Sequence, residues 1–256
     1  MAHLPFLYVA NWKMNKSLDQ GLDYFRLNKD QLHALTLDKS IEIIVAPTHV
    51  SLAPLHSLAS KISVRLASQD CSEYEKGPYN GQVDALSLSQ VGVCYGIVGH
   101  SHPNNGARDS DLVVANKTQS LLDAGVCPLI CVGDLTDEYK RGVGKQVVAQ
   151  QLKPVFDLLT IYSEPLSICI AYEPIWAIGG GESVSKEYIA DMIAWLRELT
   201  ALVPQHNFSL LYGGGVDDEN AVSLRSIKEL NGFLIGSASL DFQKFEKIVS
   251  LTKNDV

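Results

Sequence analysis

A carboxylate, Glu173, closes the apolar run Ile168-Cys169-Ile170-Ala171 and is followed at once by Pro174. Beyond it come a second apolar segment, Ile175-Trp176-Ala177-Ile178, and then Gly179-Gly180-Gly181. A strand that delivers a carboxylate, then a segment with a stiff front, a greasy body and a glycine rear, reads as a base beneath a flap. Proline fixes φ, and glycine accepts the backbone changes a hinge needs. An apolar flap suits a reaction that must exclude water. Asn11 and Lys13 stand two residues apart at the end of another apolar run, so the strand period lets both face one side. Lys13 can neutralise an anion. His100 follows Gly99 at the end of a third run, with His102 close by as a rival. An imidazole and a carboxylate across one mouth suit proton transfer next to a carbonyl. Gly213-Gly214-Gly215 and Gly236-Ser237 end two further runs, where backbone N–H groups can approach an oxyanion closely. Each feature also has a plainer reading: a solvated strand end, a surface lysine, a structural histidine, tight turns.

To act together these groups need carriers, and the periodicity of the chain supplies them. Apolar runs recur at Phe6–Ala10, Ile41–Ala46, Val64–Ala67, Tyr95–Val98, Pro128–Val132, Leu166–Tyr172, Phe208–Tyr212 and Phe233–Ile235. Helix-like spacing lies between them, over residues 18–37, 49–59, 86–91, 111–124 with Gly125 behind, 143–159, 219–230 and 240–251. Ile189, Met192, Ile193 and Leu196 add a helical stripe behind a Ser185 N-cap. Near-continuous apolar strands indicate a parallel sheet buried on both faces, and alternation with helices indicates βαβ units. Eight units in 256 residues predict an α/β fold, a (β/α)8 barrel of the TIM-barrel type, as one domain over residues 1–256. A doubly wound open sheet usually carries a glycine-rich phosphate loop after its first strand. Here that turn is Asn11-Trp12-Lys13, without glycine. In a barrel the site lies where strands end at the C-terminal face. That mouth would gather Asn11, Lys13, Gln69, His100, Asp134, Glu173 and the glycines at 213–215 and 236.

Composition narrows the function classes. The chain is 46% hydrophobic and 20% charged, enough apolar content for a sizeable core and too little charge for disorder. A formal net charge of −8 argues against a nucleic-acid partner, which requires a basic face. It does not argue against a small anionic substrate, since local fields can oppose net charge. The five cysteines are scattered through apolar runs and read as reduced core thiols in a cytoplasmic protein. No His/Asp/Glu set has metal spacing, so no metal is expected. No signal peptide or membrane span is expected either.

The motifs NWKMN (Asn11–Asn15), VGHS (Val98–Ser101), AYEPIWAIG (Ala171–Gly179), LYGG (Leu211–Gly214) and GFLIG (Gly232–Gly236), in this order, resemble those of the triosephosphate isomerase family along the whole chain. The resemblance implies interconversion of dihydroxyacetone phosphate and glyceraldehyde 3-phosphate in glycolysis and gluconeogenesis, with no cofactor. Glu173 would be the base and His100 the electrophile, as neutral imidazole. Lys13 would stabilise the enediolate and hold phosphate, and Asn11 would position substrate. Gly179, Gly215, Gly236 and Ser237 would grip phosphate.

The chain departs from that family in five places. LICVGD ends in Asp134 where glutamate is usual, and Ser237 stands where a second glycine is usual. Glu-Arg-Arg normally follows His-Ser, and here it is His102-Pro103-Asn104, which removes a carboxylate that usually partners the lysine. Gly215 replaces a serine of the phosphate site. The loop Gly77-Pro78-Tyr79-Asn80-Gly81-Gln82 lacks the glutamate that pairs across the family dimer. A homodimer with altered interface contacts is therefore expected. An isomerase of another small phosphorylated ketose, or a catalytically weakened binding relative, are the alternative readings.

Overall fold

The structure, a computed structural model, describes residues 4–101, 108–178 and 184–253. Its strands are β1 (Phe6–Asn11), β2 (Ile41–Ala46), β3 (Arg65–Ser68), β4 (Val93–Val98), β5 (Cys127–Val132), β6 (Ser167–Tyr172), β7 (Asn207–Tyr212) and β8 (Gly232–Ile235). All pair in parallel in chain order, and β8 returns to β1 to close the barrel. The expected (β/α)8 barrel is therefore the observed fold. Each strand is apolar on both sides because each side meets a different core. Leu7, Val9, Ile44, Ala46, Ala67, Ile97, Leu129, Cys131, Cys169, Ala171, Leu211 and Leu234 form one buried cluster inside the barrel. Their chain neighbours, such as Tyr8, Ala10, Ile130, Ile170 and Leu210, belong to a second cluster packed against the helices.

The helices are α1 (Leu18–Leu27), α2 (Lys29–Thr36), α3 (His49–Ala59), α4 (Ala85–Gln90), α5 (Asp111–Asp123), α6 (Thr136–Lys140), α7 (Gly144–Leu159), α8 (Lys186–Thr200), α9 (Ala221–Arg225) and α10 (Phe242–Thr252). Ser185 caps α8 as expected, its Oγ accepting from the Tyr188 N–H at 3.2 Å. Gly125 takes φ +71° after α5, the left-handed stop that glycine permits.

Three expected helices differ, each through a polar side chain that bonds the local backbone. The single helix expected over residues 18–37 breaks at Asn28, whose Nδ2 donates to the Tyr24 carbonyl at 2.8 Å. The helix expected over 219–230 shortens to α9. Asp217 accepts from the Glu219 and Asn220 N–H groups, which spends those residues in a turn. The last helix begins only at Phe242, since Asp241 caps it by accepting from the Gln243 and Lys244 N–H groups. The short α6 was not expected. Glu138 starts it by reaching back to accept from the Leu135 N–H at 2.7 Å.

Candidate active site

The alternation that fills the barrel also selects which residues reach its mouth. Inward positions run Leu7, Val9 on β1 and Cys169, Ala171 on β6. One further step of two gives Asn11 and Glu173, so the strand period itself turns both into the C-terminal opening. The same count on β5 leads from Leu129 and Cys131 to Gly133, and on β7 from Leu211 to Gly213. Both must be glycine. A Cβ on Gly133 would stand 1.8 Å from the Glu173 carbonyl oxygen, and one on Gly213 would stand 2.8 Å from Glu173 Cγ. Glu173 is thus held in a slot between two bare backbones.

His100 breaks the count. Ile97 points inward, so simple alternation would put Gly99 inward and His100 outward. Gly99 takes φ +72°, a left-handed turn that resets the phase and swings the imidazole into the mouth. Its Nε2 comes to 3.2 Å from Glu173 Oε1. Lys13 is reached by a second irregularity, a left-handed φ of +52° at the lysine itself. That turn is held by two amides. The Lys13 N–H donates to Asn11 Oδ1 at 3.0 Å, and Gln69 Nε2 donates to the Lys13 carbonyl at 2.8 Å and to the Ala46 carbonyl at 2.9 Å.

Asn11, Lys13, His100, Glu173, Gly215, Gly236 and Ser237 all line one cavity of about 650 Å³, within the range of small-molecule sites. Cβ positions on Gly215 and Gly236 would meet nothing within 4 Å. Asn220 Nδ2 donates to the Gly215 carbonyl at 2.7 Å and fixes that turn. A second cavity of about 360 Å³ opens among the strand beginnings, near Ile43, Arg65 and Gly92. Its carboxylate, Glu42, is engaged by the Tyr95 hydroxyl and by Arg65, so it offers no free base.

Glu173 is 3% exposed. Burial pushes its carboxyl above the usual carboxylate range; His100 and Lys13, with the Cys131 thiol and Arg108, pull it back. His100 Nδ1 lies 2.7 Å from the Ser101 carbonyl, so it carries a hydrogen and donates it. The contact between Nε2 and Glu173 is then a hydrogen bond only while one further proton lies between them. A neutral His100 in this pose keeps its hydrogen on Nδ1. To present an N–H to a carbonyl from Nε2, as the resemblance implies, the ring must give up its Ser101 bond or carry both hydrogens.

Other expected members go elsewhere. Gln69 supports the Lys13 turn and does not line the cavity. Asp134 sits one step past Gly133 and faces outward, where its Oδ1 accepts from the Tyr172 hydroxyl at 2.8 Å. Burial raises its carboxyl too. The flap front, Ile175–Ala177, is a 3-10 turn whose Trp176 stacks on Tyr139 at 3.9 Å. Trp176 Nε1 and Asp134 Oδ2 are both buried, and the indole N–H lies close enough to Asp134 to lower its carboxyl against the burial. An aspartate is one methylene shorter than the glutamate usual at that place. Gly179–Gly181 and His102-Pro103-Asn104 lie outside the described residues. Sequence reasoning missed the slot glycines Gly133 and Gly213 as supports of the base, although strand parity points to both. It also missed Arg108, for which the sequence carries no signal.

The family model for triosephosphate isomerase matches residues 6–252. A triosephosphate isomerase of Paracidovorax citrulli is 35% identical over 95% of this chain and 97% of its own. That of Aquifex aeolicus is 33% identical over 95% and 98%, and that of Mycoplasmopsis pulmonis 30% over 95% and 96%. The crystal structure of triosephosphate isomerase from Bartonella henselae superposes with a TM-score of 0.83 at 27% identity, covering 97% of this chain and 99% of that one.

Proposed function

This chain belongs to the triosephosphate isomerase family, and on that premise we propose that it interconverts dihydroxyacetone phosphate and D-glyceraldehyde 3-phosphate through an enediolate. The observation that carries the reading is the meeting of Glu173 Oε1 and His100 Nε2 at 3.2 Å in a cavity that Lys13 also lines. Glu173 takes the proton from C1 of dihydroxyacetone phosphate. The C–H electron pair becomes the C1–C2 double bond, and the carbonyl pair moves onto O2. Lys13 offsets the charge that develops there, and Asn11 holds the substrate oxygens. Return of the proton from Glu173 to C2, with His100 moving the hydroxyl hydrogen from O1 to O2, gives the aldehyde. The phosphate lies among the N–H groups around Gly215, Gly236 and Ser237. Gly179 is assigned to the same group by resemblance. The raised carboxyl of Glu173 suits a base that must give its proton back.

Glu173→Ala is expected to lower kcat about 100- to 10,000-fold in a coupled isomerase assay while circular dichroism is unchanged. Purified wild type with no turnover above background would overturn the reading. A panel of other sugar phosphates tests the ketose alternative.

We also infer a homodimer in the cytoplasm. Met14, beside Lys13, is 91% exposed, and Tyr74 and Tyr79 stack face to face at 3.9 Å on an exposed loop. Met and Tyr are enriched at protein interfaces. Gln82 is not idle in that loop: it accepts from the Ser72 hydroxyl and ties the loop's neck. The five free thiols suit a reducing compartment. Among the described residues no helix is long and apolar enough to cross a membrane.

A further inference from the structure

Arg108 is a buried cation that the steps above do not use. It precedes α5 on the β4–α5 connection, and its side chain is 13% exposed. Nη1 donates to Asp111 Oδ1 at 3.2 Å, while Nε and Nη2 are buried without a hydrogen-bond partner among the described residues. The guanidinium fills the space that Gly99 leaves bare. A Cβ on Gly99 would stand 3.2 Å from Arg108 Nη2 and 2.9 Å from the Cys131 carbonyl oxygen. One glycine therefore both swings His100 into the mouth and admits the guanidinium behind it. A permanently charged group is costly to bury, and its neighbours show what its field acts on.

The groups whose charge or hydrogen bonding lowers the Glu173 carboxyl against its burial are His100 beyond β4, Lys13 beyond β1, the Cys131 thiol on β5 and, least, Arg108. Lys13 lines the open cavity, where a substrate anion would engage it. Arg108 does not line that cavity, so its charge persists whether or not substrate is bound. Asp111 is its ion-pair partner, and the nearby Asp109 is taken by Lys117 at 2.7 Å.

We propose that Arg108 is a positioning residue for the isomerisation: its guanidinium braces the Gly99–His100 turn from behind and sets a fixed positive charge behind the imidazole that meets Glu173 at 3.2 Å. The inference rests on the isomerase reading. It identifies a cation on the β4–α5 connection of a chain that lacks the family's Glu-Arg-Arg there. His100 is thereby kept in register with Glu173.

The test uses Arg108→Gln and Arg108→Lys in the full chain, with two readouts. The first needs no turnover. Protein labelled with 15N-histidine is titrated by NMR, and His100 is identified by its loss in His100→Gln. In Arg108→Gln, removal of the cation is expected to move the step at which the Glu173–His100 pair releases its proton to higher pH. Arg108→Lys, which keeps the charge, returns most of that shift. The second readout is kcat/KM against pH. Its acid limb is expected to move the same way, so that kcat/KM falls on that limb while the neutral plateau changes less, and KM changes less than about twofold. A titration step and acid limb that overlay wild type overturn the proposal. So does a loss of activity that tracks a lowered Tm with the step unmoved. Should wild type fail to isomerise, the function reading falls, and the titration step alone still decides Arg108.

Discussion

At the scale of single residues, Glu173 trades stability for reactivity. Its carboxyl is raised in the fold by burial, so the folded state binds that proton more tightly than the unfolded chain does. The resulting stability is fully present below the ordinary carboxylate range and is lost as pH rises through the folded value. Glu173→Gln removes that loss. The variant is expected to be more stable than wild type at pH 8, with a correspondingly higher Tm. The two proteins converge toward pH 4. Scanning calorimetry at both pH values checks this, and a variant less stable at pH 8 would contradict it. Asn11 and Glu173 were legible in the sequence because they continue the inward parity of their strands. The same parity, applied to Asp134, would have placed it outside the mouth. His100 was legible by position, yet its orientation was not, because it depends on a left-handed φ at Gly99. Arg108 was illegible, since nothing in residue type or spacing tells that a long side chain folds back under a glycine.

At the scale of elements, the strands were readable to within a residue or two because burial on both faces leaves an uninterrupted apolar signature. The helices were less so. Their ends are decided by single side chains, Asn28, Asp217 and Asp241, which compete with the helical pattern without altering its period. What the strands do for the site is set the slot for the base, and this can be tested without touching the base. Gly213→Ala would put a Cβ 2.8 Å from Glu173 Cγ. A displacement of the base by even a fraction of an ångström is expected to lower kcat by about 100-fold. Tm should fall by only a few degrees, and a phosphate anion should still bind. Unchanged kcat in Gly213→Ala would show that the slot does not position the carboxylate.

At the scale of the whole molecule, the eight-unit count made the barrel legible, whereas surface partnership was not. Gln82 shows why: a residue read as a lost interface contact is a support within its own loop. The expected state is nonetheless a dimer, and sedimentation equilibrium should return about twice the chain mass of 28.0 kDa. Met14→Asp should shift the population to the single-chain mass, because a carboxylate would replace an exposed apolar side chain at the inferred contact. A wild type that sediments as one chain would refute this.

The barrel mouth also sorts its glycines into two kinds, with a consequence for anyone who wishes to redesign it. Gly133 and Gly213 are frozen, since any side chain collides with Glu173, while Gly215 and Gly236 open onto vacant space. A mutational library that randomises positions 215 and 236 and leaves 133 and 213 untouched can therefore reshape what the cavity accepts while the proton-transfer groups stay in place.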